Sequence, residues 1–152
     1  MPYRWTAPLA ALLLATAVSP RVGYGQRREP DKPKPPAISL GQNLPNPVAS
    51  DARIPFSIGD APTCANAPRA HRVSLRIYNL LSQVVAVPVV QSGPQGPAGN
   101  LPMENVTLTC GSYVAYWDGR YLATGAPVAP GIYLYRLDVD GVSRVMKLVV
   151  AR

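Results

Sequence analysis

The chain has 152 residues, enough for one domain with or without tails. Its 18 prolines and 12 glycines disfavour long helices, and 47% hydrophobic against 15% charged residues argues against a wholly disordered chain. One histidine, two cysteines and eight acidic residues supply few side chains for catalysis. This composition argues against a helical bundle, a zinc protein or a nucleotide-binding α/β enzyme. A small β domain is what remains.

Residues 1–25 have the pattern of a secretory signal peptide. Arg4 precedes an apolar stretch from Trp5 to Val18, which is shorter than the roughly 20 residues that a membrane-spanning helix needs. Cleavage is expected after Ala17 or after Gly25, and we prefer Gly25. We therefore expect an exported protein that is not integral to the membrane once the signal peptide has been removed. Its place is the cell surface or the extracellular medium, with the periplasm as the alternative.

Residues 26–36 (QRREPDKPKPP) form a basic, proline-rich linker. Proline is the only apolar residue type in it, which predicts an extended, solvated spacer. Residues 1–36 contribute most of the net charge of +7. Because residues 37–152 contain no cluster of lysine and arginine interleaved with aromatic residues, no nucleic-acid partner is expected.

The remaining residues, 37–152, are predicted to form an all-β, immunoglobulin-like antiparallel sandwich of about seven strands. Alternating or β-branched segments mark the strands at residues 53–58, 73–78, 83–90, 105–109, 113–117, 132–139 and 142–150. Asp140-Gly141 favours positive φ and predicts a tight hairpin between the last two strands. Pro55 is expected at a sheet edge, and Pro88 at a sheet edge or a bulge.

Two segments rich in turn-forming residues, 60–70 and 91–104, are predicted to be irregular loops. The first contains Cys64, and the second cysteine, Cys110, ends the strand predicted at residues 105–109. An exported chain meets an oxidising compartment, so a structural Cys64–Cys110 disulfide is expected. A redox role is disfavoured because no C-x-x-C spacing occurs.

Little in the sequence favours catalysis or a metal site. His71 is the sole histidine and is predicted to be a surface residue without a second ligand nearby. Asp138 and Asp140 are spaced as a calcium pair could be, but the start of the Asp-Gly turn at Asp140 argues against that role. Asn105-Val106-Thr107 fits a glycosylation pattern, which we interpret as chance. We expect no enzyme, no catalytic residue, no cofactor and no bound metal.

From Leu40 onward the sequence resembles a bacterial family. It comprises the immunoglobulin-like domain of the flagellar hook-capping protein and the related C-terminal sorting domains of proteins exported by the type IX secretion system. Four stretches carry the likeness over about 110 residues. Their matching residues are Asn43, Pro45, Asn46 and Pro47; Tyr78 and Asn79; Trp117, Asp118, Gly119, Arg120, Gly125, Gly131 and Tyr133; and Lys147 near the end of the last hairpin.

Several of these residues have physical roles that do not depend on the family. Trp117 offers a large face to a core and an N–H that needs a partner, and Asp118 can accept bonds from nearby backbone N–H groups. Gly131 is expected to allow an unusual backbone angle. Ser82 stands where the family has glycine, which predicts a strained hairpin turn, and Tyr121 stands where a polar residue is usual.

The resemblance implies a non-enzymatic module that a protein partner recognises. In one version, the module is a secretion-associated sorting or cell-surface domain, and residues 147–152 with the hairpin before them resemble the recognition element. In the alternative, a stand-alone periplasmic assembly or adhesion protein binds its partner through strand edges or loops.

Overall fold

The structure, a computed structural model, describes Met1, residues 34–94 and residues 96–152, without the side chains of residues 96–98. The predicted signal peptide and most of the predicted linker lie outside the described residues. Ten strands and no helix occur in the described part. The strands are β1 (Ile38–Leu40), β2 (Ala52–Ile58), β3 (Ala70–Tyr78), β4 (Val84–Ala86), β5 (Val89–Gly93), β6 (Gly96–Pro102), β7 (Val106–Thr109), β8 (Gly111–Trp117), β9 (Gly131–Val139) and β10 (Val142–Val150).

The strands form two antiparallel sheets of five strands each. Sheet A has the order β1-β2-β8-β5-β6, and sheet B has the order β10-β9-β3-β4, with β7 also paired to β3. The all-β sandwich predicted from alternation and turn residues is therefore confirmed, with ten strands rather than about seven. A search of the described residues for a helix long and apolar enough to cross a membrane found none.

The core lies between the inward faces of the two sheets. The central strands contribute alternate residues, as in the burial of Ile54, Phe56 and Ile58 in β2. Trp117, Tyr133 and Tyr135 are all buried in the same cluster. Aromatic contacts join the strands, with ring centroids 6.4 Å apart for Trp117 and Tyr133.

The strand predicted at residues 83–90 is in fact two strands in different sheets. β4 pairs with β3 in sheet B, whereas β5 pairs with β8 in sheet A. Pro88 lies between them, where its missing N–H is not needed by either sheet. Its carbonyl accepts a hydrogen bond from the Met103 N–H at 2.9 Å. The chain therefore changes sheets at this proline.

The loop predicted at residues 91–104 is also corrected, because β6 pairs with β5 there. Pro97 and Pro102 lie opposite Ser92 and Val89. A proline in β6 is tolerated because β6 is an edge strand, which leaves one side of its backbone unpaired. By contrast, the turn-rich segment 60–69 contains no strand, as predicted.

Pro55 does not mark a sheet edge, because β2 lies between β1 and β8. Its carbonyl accepts a hydrogen bond from the Gly41 N–H at 2.8 Å, but proline has no N–H to return to the Gly41 carbonyl. That carbonyl instead accepts a hydrogen bond from the Tyr135 hydroxyl at 2.7 Å. A side chain of sheet B thus replaces the missing donor in sheet A.

The predicted final hairpin is confirmed. Val139 and Val142 pair on either side of Asp140-Gly141, and both turn residues have positive φ, 48° and 84°. These angles match a two-residue turn whose twist suits the flanking strands. The hairpin places β10 at the edge of sheet B.

Candidate recognition surface

Half of the outer edge of β10 is covered by residues 42–49, which we call the clamp segment. Val48 N–H donates to the Val149 carbonyl at 2.7 Å, and Ala151 N–H donates to the Val48 carbonyl at 2.9 Å. Asn46 Oδ1 accepts from the Val149 N–H at 3.2 Å. Val149 and Val150 are therefore paired with β9 on one side and with the clamp segment on the other, and Ala151 is bonded to the clamp segment.

Asn43 fixes the bend of the clamp segment from a fully buried position. Its Nδ2 donates to the Pro45 carbonyl at 2.6 Å, and its Oδ1 accepts from Gln42 Nε2 at 2.7 Å. Its backbone N–H donates to the Tyr135 hydroxyl at 3.1 Å. The clamp segment thus brings together the motif residues Asn43, Pro45, Asn46 and Pro47. The hydrogen bonds of Asn43 and Asn46 hold the segment in place.

The motif Trp117-Asp118-Gly119-Arg120 forms the turn that leaves β8. Trp117 is buried and its Nε1 donates to the Arg120 carbonyl at 3.1 Å, while Asp118 Oδ1 accepts from the Arg120 N–H at 3.1 Å. Arg120 Nη1 donates to the Gly125 carbonyl at 2.8 Å. Gly119 has φ +71°, and a Cβ there would collide with the Ser50 carbonyl oxygen. The predicted burial of Trp117 and the bonding role of Asp118 are confirmed.

Arg152 is a structural residue that sequence reasoning missed. Its guanidinium donates to the backbone carbonyls of Ala49, Val128 and Gly119 at 2.9, 3.0 and 2.9 Å. All three acceptors are main-chain groups, so no pattern of side-chain types could have revealed them. Arg152 joins the clamp segment to the loop that follows β8.

Tyr78 ends β3, and Asn79 builds the turn between β3 and β4. Asn79 Oδ1 accepts from the N–H groups of Leu81 and Gln83, both at 3.0 Å. Ser82 has φ 60°, a left-handed conformation that suits glycine better than serine. The strain predicted for Ser82 is therefore present. Leu80 and Leu81 at the tip of this turn are exposed.

The remaining motif glycine and tyrosine lie around the start of β9. Gly131 has φ 153°, the unusual backbone angle that was predicted for it. The Tyr133 hydroxyl donates to the Ala129 carbonyl at 2.9 Å. Burial, together with a hydrogen bond and the charge interaction from Tyr121, raises the pKa of Tyr133 to about 12. These residues support the last hairpin from inside.

The outer surface of the last hairpin has a different character, and we call it the hairpin face. Outward residues of β3, β9 and β10 stand in cross-strand rows: Val149 beside Ile132, Lys147 beside Leu134 and Tyr78, and Val145 beside Arg136 and Arg76. Ile132 and Val145 are 46% and 53% exposed, and Val84 opposite Tyr78 is 47% exposed. Apolar residues of adjacent rows thus form a strip on one half of the hairpin face, and Val145 extends it into the row of Arg136 and Arg76.

The other half of the hairpin face is charged and internally paired. Arg136 Nε lies 2.9 Å from Asp138 Oδ1, and Arg76 is paired with Glu104. The hydrogen bonds that Arg76 donates to Glu104 outweigh desolvation and raise the pKa of Arg76. An apolar strip beside a polar, hydrogen-bonded margin is the arrangement of a protein interface. Lys147, the motif lysine, is exposed between the clamp segment and the strip.

The uncovered half of the β10 edge adjoins the apolar strip. Lys147 and Val149 turn their carbonyls toward the clamp segment, and the alternation of a strand gives Val145 and Ser143 the same outward direction. The Ser143 carbonyl is capped by Arg144 Nη1 at 3.2 Å. Among the described residues, no strand pairs with this side of Val145, so its N–H and carbonyl are available to a partner strand.

The histidine prediction is wrong. His71 is buried, and its Nδ1 lies 2.8 Å from Asp140 Oδ2. Asp140 Oδ1 accepts from the Arg72 N–H at 2.9 Å. Burial acts to raise the pKa of Asp140, but the Arg72 N–H and the His71 ring outweigh it and lower that pKa below its ordinary value. The sequence could not show this pairing because the two residues are 69 positions apart.

Asp138 and Asp140 do not act together. Asp138 is bonded to Arg136 and Ser143, whereas Asp140 is bonded to His71 and Arg72. No group of three or more potential metal ligands from histidine, cysteine, aspartate and glutamate was found in the described part of the chain. The expected disulfide is confirmed: Cys64 and Cys110 are bonded, with their Cα atoms 5.6 Å apart. It attaches the turn-rich segment 60–69 to the start of β8.

Comparisons with protein-family models, with curated proteins and with solved structures found no match to this chain.

Proposed function

We propose that this chain is a non-enzymatic, exported, immunoglobulin-like module that a protein partner recognises through its hairpin face. The observation that carries the proposal is the outward-facing apolar strip of Tyr78, Val84, Ile132, Leu134, Val145 and Val149. Val84, Ile132 and Val145 are exposed, and the other three are half-buried. Burying such a strip against a partner removes apolar surface from water, and the charged margin supplies orientation.

Two further features support a role in secretion or at the cell surface. The disulfide is of the kind that persists in oxidising compartments, in agreement with the signal peptide expected at residues 1–25. The clamp segment and Arg152 hold residues 147–152 in a fixed conformation. A partner that reads the C-terminus would therefore read a folded surface, not a linear peptide.

The test places charges on the apolar strip and follows the protein through the cell. The full chain and its Ile132→Glu/Val145→Glu variant are expressed in a bacterium that has a type IX secretion system. Intact mass is then measured in the periplasm, the outer membrane and the medium. We expect the parent protein at the surface or in the medium, with its C-terminal region cut or carrying added mass, and the variant retained in the periplasm.

The control is Leu101→Glu, which introduces one such charge at a residue that is 56% exposed on β6 of the other sheet. This variant should travel like the parent. Circular dichroism and protease resistance establish that all variants are folded. A full-length parent protein confined to the periplasm would contradict the sorting role.

The free half-edge of β10 favours a second candidate, a periplasmic assembly or adhesion protein that binds a partner by strand addition. Val145→Pro removes the outward N–H without removing a bond to β9. If the parent protein stays in the periplasm, a photo-crosslinker on β10 should give a defined product with its partner, and Val145→Pro should abolish that product. A product unchanged by Val145→Pro would contradict strand addition.

A further inference from the structure

A second surface feature lies away from the hairpin face, on the outer side of sheet A. Where β8 ends, a cleft of about 310 Å³ opens between the strand and the loop that follows it. Tyr116 and Val89 line it on the sheet side, Tyr121 and Leu122 on the loop side, with Asp118 and Arg120 at its rim. Its volume is within the range of small-molecule sites.

The loop that forms one wall of the cleft is held rigidly. Tyr121 and Ala126 are joined by a backbone hydrogen bond of 2.9 Å, and the Leu122 N–H donates to the Val85 carbonyl at 2.8 Å. Arg120 Nη1 and Arg152 Nη2 add bonds to the Gly125 and Gly119 carbonyls at 2.8 and 2.9 Å. A wall fixed before a ligand arrives lowers the entropy lost on binding.

The polar groups at the rim are only partly used. Asp118 accepts one bond through Oδ1, and Arg120 donates one through Nη1. Among the described residues, no hydrogen bond is made by Asp118 Oδ2, Arg120 Nη2 or the Tyr116 hydroxyl. The cleft therefore offers an acceptor, a cationic donor and a hydroxyl that can do both.

The charges and the aromatic rings together limit the class of ligand. The charges of the Asp118 carboxylate and the Arg120 guanidinium cancel, so the rim favours neither a phosphate nor a cation as the ligand. A purely apolar ligand would bury Asp118 and Arg120 without partners, which is unfavourable. The half-buried rings of Tyr116 and Tyr121 offer flat apolar faces. A neutral ring that has an apolar face and hydroxyls around its rim satisfies all of these groups.

We propose that this cleft binds a neutral saccharide. One sugar ring packs its C–H face on Tyr116, neighbouring hydroxyls donate to Asp118 Oδ2, and Arg120 donates to a hydroxyl oxygen. The inference does not depend on the hairpin face and stands whether or not the proposed function is correct.

The experiment titrates the full chain with neutral oligosaccharides of glucose, mannose, galactose and N-acetylglucosamine, and follows binding by calorimetry. We expect saturable binding of at least one series, weakened about tenfold or more by Tyr116→Ala, since the stacking face is lost. Asp118→Asn keeps an oxygen for the Arg120 N–H but replaces the free carboxylate oxygen with an amide donor. It should weaken binding by a similar factor.

The control is Leu101→Ala, which removes an exposed apolar side chain from β6 of the same sheet at a position that does not line the cleft. It should bind saccharide like the parent. Inorganic phosphate and an acidic oligosaccharide are titrated in parallel. The proposal is overturned if no neutral saccharide binds, if phosphate or the acidic sugar binds more tightly, or if binding survives Tyr116→Ala unchanged.

Discussion

The hydroxyl of Tyr135 accepts a hydrogen bond from the backbone N–H of Asn43 at 3.1 Å and donates one to the Gly41 carbonyl at 2.7 Å. Tyr135 belongs to β9 in sheet B, whereas Gly41 follows β1 in sheet A. A single buried hydroxyl therefore bridges the two sheets at the point where Pro55 offers no donor. Burial raises the pKa of Tyr135 in spite of the Asn43 N–H, which keeps the hydroxyl protonated and able to donate.

Replacing Tyr135 by phenylalanine should destabilise the protein by about 2 kcal/mol, because a partly buried carbonyl and a buried N–H both lose their partner. Urea unfolding followed by tryptophan fluorescence measures the change. The matched control is Tyr113→Phe, which removes a single hydroxyl bond, to the Thr109 carbonyl at 2.8 Å, and should cost about 1 kcal/mol. Equal effects of the two substitutions would contradict the bridging role of Tyr135.

The fold could be predicted from the sequence where the information is local. Alternation located β2, β3, β8 and the last hairpin, and Asp140-Gly141 fixed the turn between β9 and β10. The change of sheet at Pro88 could not be predicted, because a proline between two β-branched segments fits an edge, a bulge or a crossing equally well. β6 was missed because its glycines and prolines are typical of a loop. Its strand geometry comes from β5, which supplies the ladder of hydrogen bonds.

The turn between β3 and β4 contains a strained serine. Ser82→Gly should stabilise the protein by about 0.5–1 kcal/mol, because relief of the left-handed backbone strain exceeds the added entropy of an unfolded glycine. Thermal unfolding by circular dichroism measures the shift. The same substitution at Ser92, which has no positive φ in β5, should be destabilising. A lower midpoint for Ser82→Gly would show that the serine side chain stabilises the turn.

The disulfide should contribute substantially to stability. Cys64 and Cys110 are 46 residues apart, and closing a loop of this length stabilises a small domain by about 2–4 kcal/mol in the chain-entropy account. The Cys64→Ala/Cys110→Ala variant should therefore unfold at a lower urea concentration. Reduction of the parent protein should bring it to the midpoint of the variant, which itself should not respond to the reductant. Identical midpoints for the oxidised parent protein and the variant would contradict a stabilising role.

Arg152 should stabilise the fold through the hydrogen bonds of its guanidinium group. Arg152→Met retains a long side chain but removes three hydrogen bonds to main-chain carbonyls, and should cost about 1–2 kcal/mol. The control is Arg144→Met. Among the described residues the Arg144 guanidinium bonds to the adjacent Ser143 carbonyl alone, so this substitution should change stability by less than about 0.5 kcal/mol. Chemical unfolding of both variants measures the difference. No difference between them would mean that the Arg152 bonds are not maintained in solution.

The candidate surfaces could be predicted only in part. The motif residues Asn43, Asn79 and Trp117 were identified from the sequence, and each has a defined structural contact. The surfaces that carry the proposals depend on registers between distant strands, which place Ile132 beside Val149 and Val145 beside Arg136. Nothing in the local sequence indicates which of these residues face outward together. The burial of His71 was missed for the same reason.

The Asp140–His71 pair should make the free energy of unfolding depend on pH in the acidic range. The pKa of Asp140 is lowered in the folded protein. The ionised carboxylate therefore stabilises the fold fully at pH values above the ordinary carboxyl pKa of about 4. This stabilisation is lost as the pH falls through the pKa of the folded state.

Asp140→Asn keeps a residue that tolerates the positive φ of the turn but removes the charge. We expect the variant to be less stable than the parent by about 0.5–1 kcal/mol at pH 7, because solvent screens a partly exposed carboxylate. The difference should shrink as the pH is lowered below 4. Urea unfolding of both proteins between pH 2 and pH 7 measures it. The control is Asp51→Asn, whose carboxylate accepts a bond from its neighbour Ser50 and from no other residue that the structure describes. A difference that stays constant across this range would show that Asp140 acts through the geometry of the turn and not through its charge.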